Sequence, residues 1–424
     1  MSPTDNATQV TDDEPGRSDV AKRSDESAGA APAAAPTERL TSLDAYRGLA
    51  MFLMVGEVLH FCQVSAAVPT SKVWAWLCHH QSHVAWVGLS IHDMIQPSFS
   101  FMVGVALPFS LASRHAKGQS QLRMTLHAWW RAAVLVALGI FLRSQGHEQT
   151  YFTFEDTLTQ IGLGYGILYM IGQRSVIVQW IALAVVLVGY WIAFAAYPLP
   201  PADLDYSSVG VPADFPHATE GFEAHWAKNS NAAHHFDVWF LNLFPREEPF
   251  AYNRGGYLTL SFIPTLGTMI MGLLAGGILR DQTPPSVKLM QLCFLGAAFL
   301  GLGWTLGHFG ICPVVKRIWT PSFALVSGGL CFLIMAVLYL VIDVARLRRW
   351  AFPLVVIGMN SIAIYVMAGT IEGYVGSALT RHLPASLFHG FGDAYEPFVH
   401  GVFVVLVFWL ILYWMYRRKI FIRV

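Results

Sequence analysis

The sequence predicts an all-α, polytopic transmembrane bundle of about ten spans with its N- and C-termini cytoplasmic. Three observations lead there. Hydrophobic residues make up 54% of the chain and charged residues only 13%, about half the charge that a soluble globular surface carries. From residue 43 onward, apolar stretches near the ~20 residues needed to cross a bilayer recur almost without pause. Lys and Arg collect in alternate loops, as retention of positive loops in the cytoplasm requires.

The elements follow in chain order. Residues 1–38 are rich in Ala, Pro, Ser, Thr, Asp and Glu and contain no apolar run. They cannot repay the entropy of ordering, so a disordered cytoplasmic tail is expected. No basic start followed by an apolar core is present, so nothing predicts cleavage and the first span reads as an internal anchor. Residues 39–424 then form one transmembrane domain. Its spans fall at about 43–64, 93–113, 124–143, 157–173, 175–197, 257–279, 286–307, 318–343, 352–376 and 398–416. Hydrocarbon forces the backbone to satisfy its own hydrogen bonds, and long runs without strand-like alternation leave helices.

Orientation comes from the cations. Arg114, Lys117 and Arg123 follow the second span, Arg174 the fourth, and Arg280 and Lys288 flank the loop after the sixth. Arg346, Arg348 and Arg349 follow the eighth, and Arg417, Arg418, Lys419 and Arg423 close the chain. All lie on one side of a ten-span arrangement, while Lys72, Lys228, Arg246 and Arg254 are spread thinly over longer loops on the other. The formal net charge of zero sums over two sides of a membrane, and no nucleic-acid partner is expected. The expected location is the inner (cytoplasmic) membrane of a bacterium, with membrane lipid as a partner and a homodimer left open.

Two external segments are long enough to be functional. One, at about 65–92, holds His79, His80, His83 and Trp86, with Asp93 just beyond; the other, at about 198–256, mixes carboxylates, aromatics and four histidines. The five cysteines have no metal-ligand spacing, and the external set Cys62, Cys78 and Cys312 leaves room for one disulfide. No internal repeat is visible.

Ionisable residues inside spans are costly and usually mark function. The first span carries Asp44 and Arg47 at i, i+3, then Glu57 and His60 at i, i+3, with Asp44 and Glu57 ~20 Å apart along a helix axis. Asp44 and Arg47 fit a helix-start ion pair equally well. Glu57 sits in an apolar run, where burial raises a carboxyl's pKa. His79 and His83, at i, i+4, would share a face if they lay on a helix, with Glu57 or Asp93 as an oxygen ligand. That metal reading needs a helix and a third ligand, so no metal is predicted.

Further motifs resemble a known family. SLDAYRG (42–48), the spaced set His83, Trp86, Gly88, Ser90, Asp93 and Pro97, and FMVGVALPFS (101–110) resemble the membrane acyltransferases related to heparan-alpha-glucosaminide N-acetyltransferase. IGLGY (161–165), IPTLGTMIMGLLAG (263–276), WTPSFAL (319–325) and GMNSIAIYV (358–366) follow in the family's order. There are departures. Thr159-Gln160 stands where the family has a Gln-Arg pair, and Glu57-Val58 stands near the place of an asparagine that ends the family's first span.

The resemblance implies a transmembrane acyltransferase that takes acetyl-CoA from the cytoplasm and acetylates the nitrogen or oxygen of a saccharide on the far side. Acetyl-CoA is then a co-substrate, and the family's histidine matches His83. Acyl transfer needs a base near neutrality, which imidazole supplies, either to deprotonate the acceptor or to take the acyl group itself. Asp93 is placed to fix the imidazole tautomer or to cap a helix, and Glu57 completes the expected catalytic set. Asp44, Arg47, Trp86, Gln160 and Asn360 are the expected substrate contacts, Gln160 and Asn360 as neutral donors to a developing oxyanion. Two other readings stay open. In one, Asp44, Glu57, His60 and His83 form the proton or ion relay of a transporter. In the other, the protein is a membrane scaffold whose external loop binds glycans.

Overall fold

The structure, a computed structural model, describes residues 40–217 and 220–422. The tail expected at 1–38 and Arg423 lie outside the described residues. The architecture is all-helical, and the one β-bridge among the described residues joins Val87 to Val315. The helices are α1 (Thr41–Val55), α2 (Phe61–Ala67), α3 (Lys72–Gln81), α4 (Ile95–Ala116), α5 (Gln121–Arg143) and α6 (Thr157–Gly172). Next come α7 (Val176–Ala195), α8 (Ala232–Phe240), α9 (Phe262–Arg280), α10 (Pro285–His308) and α11 (Pro321–Leu338). The last are α12 (Phe352–Gly358), α13 (Ser361–Thr370), α14 (Glu372–His382), α15 (Ala385–Phe388) and α16 (Glu396–Arg417).

Among the described residues, eight helices are long and apolar enough to cross a membrane, or nine if a bent pair counts as one span. The first runs from Thr41 to Ala67 and is kinked at His60, whose φ of 50° interrupts the helix. The bent pair is α12 with α13, turned by 65° at Met359 and Asn360, so the span expected at 352–376 is a broken helix. The span expected at 157–173 is the 16-residue α6, about 24 Å long. Side-chain hydrogen bonds tie it to both ends of α5: Arg143 Nε to Asp156 Oδ2 at 2.7 Å, and Gln121 to Gln173 at the other end.

The bundle closes around α1, α4, α9 and α11, whose apolar side chains form one core with Tyr46, Phe101, Met269, Phe323 and Phe332 at its centre. Backbones meet closely where α4 crosses α9. A Cβ at Gly104 would stand 1.9 Å from the Met269 carbonyl oxygen, and one at Gly272 would stand 2.0 Å from that of Phe101. Small residues let membrane helices pack by direct backbone contact, and here they fix the helix that follows Asp93. By contrast, α5, α7 and α10 turn large apolar side chains outward, among them Leu126, Trp130, Ile181, Val185 and Phe294, as a lipid-facing ring would.

The helix ends are held by named partners. Asp343, in a π-helical turn after α11, accepts the Thr41 and Ser42 amides at 3.1 and 3.2 Å and so caps α1, whose own N-cap Leu40 has no oxygen to offer. Thr320 caps α11 ahead of Pro321, which fills the first helical position without needing a hydrogen-bonded N–H. At the end of the bundle that bears His83, the segment expected as a long loop at 198–256 folds into a cap. Trp86, Tyr190, Phe194, Trp226, Leu258, Val315 and Ile318 form its separate core. A disulfide joins Cys62 to Cys78, and Cys312 is a buried free thiol.

Candidate active site

The site begins with a local rule of helix termini. Ser90 and Asp93 form a reciprocal capping pair: Ser90 Oγ accepts the Asp93 amide at 3.3 Å, and Asp93 Oδ2 accepts the Ser90 amide at 2.9 Å. The Ser90 hydroxyl donates in turn to the Ser82 carbonyl at 2.7 Å, which folds residues 82–90 back over the helix start. One carboxylate oxygen is thereby used for the turn, and the other is free to face His83. Asp93 Oδ1 lies 2.7 Å from His83 Nδ1, and the carboxylate is fully buried. Capping and orienting, alternatives in the sequence, are both done by Asp93.

The loop carrying His83 is anchored from outside as well. Gly88 N donates to the Val314 carbonyl at 2.9 Å, and Trp86 Nε1 donates to the Trp226 carbonyl at 3.0 Å. Arg317 bridges two segments, donating to the Gly255 and Val84 carbonyls at 2.6 and 3.3 Å. These bonds bring residues 312–320 onto His83. Lys316 Nζ is 3.5 Å from His83 Nε2 and donates to the Tyr257 hydroxyl at 3.3 Å.

The result is a row of groups, Asp93, His83, Lys316 and Tyr257, with the imidazole between a carboxylate and an ammonium. A neutral ring protonated on Nδ1 satisfies both neighbours, donating to Asp93 and accepting from Lys316, whereas an imidazolium would turn an N–H toward the ammonium. Burial pushes the His83 pKa down, its hydrogen bond to Asp93 opposes that, and the charge of Lys316 adds to the lowering. Lys316, 6% exposed, is itself lowered to about 8, mainly by burial. Burial also raises the neighbouring Tyr257 to about 12, so its hydroxyl stays protonated at neutral pH.

Behind His83 a cavity of about 130 Å³ leads into the bundle. Met51, Met54 and Glu57 of the first span, His92 and Phe99 from around the start of α4, Tyr365 of α13 and Lys316 line it. Glu57 Oε1 is 2.8 Å from His92 Nε2, and the His92 ring centre is 4.4 Å from that of His83. Two carboxylate-held imidazoles therefore lie against each other at the cavity mouth.

The other residues expected at the site lie elsewhere. Trp86 is 3% exposed and belongs to the core of the cap, where its indole N–H is used by Trp226. Gln160 is fully buried and donates to the Phe154 and Thr259 carbonyls at 2.6 and 3.1 Å, a joint between α6 and the start of α9. Asn360 sits at the break between α12 and α13, where its amide donates to the Ile420 carbonyl and accepts the Ile422 amide, both at 3.0 Å. Neither Gln160 nor Asn360 lines the cavity behind His83, where Lys316 is the donor to the ring. Asp44 and Arg47 are 3.4 Å apart near the start of α1, at the level of Gly358 rather than of the cavity. His79 lies in the last turn of α3, while His83 follows its C-cap Ser82, outside the helix, so the two do not share a helix face. Among the described residues no group of three His, Cys, Asp or Glu side chains is arranged to hold a metal ion.

Comparison with known proteins adds the decisive observation. Residues 39–209 match the family model described as heparan-alpha-glucosaminide N-acetyltransferase, catalytic. The chain is 24% identical over 425 residues to the heparan-alpha-glucosaminide N-acetyltransferase of Homo sapiens, an alignment covering 91% of this chain and 60% of that protein. It is 23% identical over 424 residues to the Mus musculus protein, with the same coverage. The chain is related to the heparan-alpha-glucosaminide N-acetyltransferase family. It spans about 60% of the length of those curated relatives. The segment matched by the heparan-alpha-glucosaminide N-acetyltransferase family model contains Glu57, His83, His92 and Asp93 and ends before Tyr257 and Lys316.

Sequence reading missed His92, Tyr257 and Lys316. A signal for Lys316 existed: Lys316 and Arg317 are adjacent cations in a short loop on the side where cations are scarce.

Proposed function

We propose that this protein is a transmembrane acyltransferase that moves an acetyl or similarly short acyl group from cytoplasmic acyl-CoA to a saccharide on the opposite side of the membrane. The observation that carries the reading is the 2.7 Å contact of His83 Nδ1 with buried Asp93, beside a cavity that opens into the bundle. A carboxylate on Nδ1 holds the ring in the tautomer whose Nε2 carries the lone pair, and Asp93 balances the positive charge that develops when that lone pair is used. Burial keeps the ring neutral at neutral pH, as a nucleophile or base must be. A space of about 130 Å³ suits a short acyl group and the end of its thioester arm.

The relatives' name supplies the expected chemistry, N-acetylation of a glucosamine residue of a glycan. Acetyl-CoA is the expected donor, and the expected setting is a bacterial inner membrane with both termini cytoplasmic. The comparisons give the transport reading no support.

The test is direct. Protein purified in detergent should release free thiol from acetyl-CoA beyond one equivalent per protein only when an amino sugar is added. His83→Ala should abolish release while the protein still elutes as a folded species. Release that survives His83→Ala would refute the assignment.

A further inference from the structure

We propose that Lys316 is a second catalytic residue of this reaction, its ammonium holding the thioester oxygen beside His83 and then protonating the departing thiolate. The inference rests on the acyl-transfer reading above and adds to it a group from a loop far along the chain.

Geometry comes first. Lys316 Nζ lies 3.5 Å from His83 Nε2 and lines the same cavity. When Nε2 bonds to a carbonyl carbon, the carbonyl oxygen comes to within ~2.5 Å of that nitrogen, inside the reach of a donor already next to it. The lysine is also held in place: Tyr257 receives one of its N–H bonds at 3.3 Å, and its ring faces the ammonium, 4.8 Å from Nζ. A buried ammonium is costly unless paired. The charges facing this one are Asp93 and Glu57, which favour it, and Arg317 and Arg143, which oppose it. A buried cation one contact away from a nucleophile is expensive for stability alone, and a charge that forms only during reaction accounts for its position.

The step balances. The Nε2 lone pair attacks the carbonyl carbon, and the C=O pair moves to oxygen, where the ammonium meets it. Collapse restores C=O and breaks C–S, with the electron pair going to sulfur. A Lys316 proton follows to give free thiol, leaving a neutral amine and an acyl-imidazolium whose charge Asp93 balances. The acceptor amine then attacks, the neutral Lys316 takes the proton it sheds, and Nε2 recovers its lone pair. Lys316, lowered to about 8, is matched to a thiol, which ionises near ~8.5.

The experiment uses the full chain in detergent, comparing wild type with Lys316→Met, Lys316→Arg and His83→Ala. Thiol release from acetyl-CoA with glucosamine is followed from pH 6 to 9.5. In parallel, carbethoxylation of His83 by diethyl pyrocarbonate is read by mass spectrometry, which needs no natural substrate. Wild type should lose activity above pH 8. Lys316→Met should lose at least 100-fold at pH 7.5, with His83 still carbethoxylated but half-reactive at a higher pH. Lys316→Arg keeps charge but not a transferable proton, so its kcat should fall with KM within about threefold.

Activity of Lys316→Met within threefold of wild type, with His83→Ala inactive, would overturn this inference and leave the function standing. Loss in Lys316→Met with unreactive His83 would also overturn it, as a collapse of the site. Activity surviving in His83→Ala would remove the reading on which the inference rests.

Discussion

His83 Nδ1 stands 2.7 Å from Asp93 Oδ1, with the carboxylate fully buried and the ring 32% exposed. The carboxylate is not among the groups lining the cavity behind His83, so its effect on chemistry runs through the imidazole. Asp93→Asn keeps the shape and loses the charge that holds the ring in its tautomer and balances an acylated ring. Thiol release should fall by ~100-fold or more, as for other carboxylate-held catalytic histidines. Steady-state kinetics with a KM change under threefold would check it.

The neighbouring pair of Glu57 and His92 makes a second prediction. Their contact is 2.8 Å, and Glu57 is 62% exposed, so it stabilises the fold little. Glu57→Gln should leave the melting temperature within about 2 °C. His92→Phe, which keeps a ring against His83, should lower activity at least tenfold if the second imidazole supports the reaction. Circular dichroism melts and the thiol assay on the same samples separate the two effects.

The crossing of α4 with α9 sets the position of Asp93 through backbone contact. Gly272→Val should destroy the crossing, because its Cβ would meet the Phe101 carbonyl at 2.0 Å. Gly277→Ala, where nothing lies within 4 Å, is the neutral control. Yield of monodisperse protein on size-exclusion chromatography should collapse for the first variant alone.

Asp237 gives a pH dependence in the cap. It is 1% exposed and accepts the Thr259 amide at 2.9 Å, and burial raises its pKa from 3.8 to about 7. A carboxyl whose folded pKa is raised contributes stability that is present below pH ~4 and lost as pH rises toward 7. Glu155, raised by burial to about 7, acts in the same direction. Asp237→Asn should therefore melt several degrees above wild type at pH 8 and match it near pH 4.

Much of the fold was legible because its causes are local. Apolar length marks α1, α4, α5, α7, α9, α10, α11 and α16. The shorter α6 and the break at Asn360 were harder, since neighbours rather than hydropathy decide where those helices stop. At the site, Glu57 could be picked out because a carboxyl in an apolar stretch is conspicuous, and His83 and Asp93 because their spacing with Trp86, Gly88, Ser90 and Pro97 carries the family resemblance. Lys316 and Tyr257 reach His83 only through the folding of loops 233 and 174 residues further on, a distance that spacing cannot report. Gln160 and Asn360 looked like donors for a substrate, but both are spent on backbone carbonyls at joints between helices.

The central claim, transfer through His83 from one side of a membrane to the other, is tested most directly in sealed proteoliposomes. Acetyl-CoA is placed on one side and glucosamine on the other, and N-acetylglucosamine and free thiol are measured in each compartment. The account predicts thiol in the donor compartment, product in the opposite one, and neither with His83→Ala. Product confined to the donor compartment, or formed equally well by His83→Ala, would contradict it.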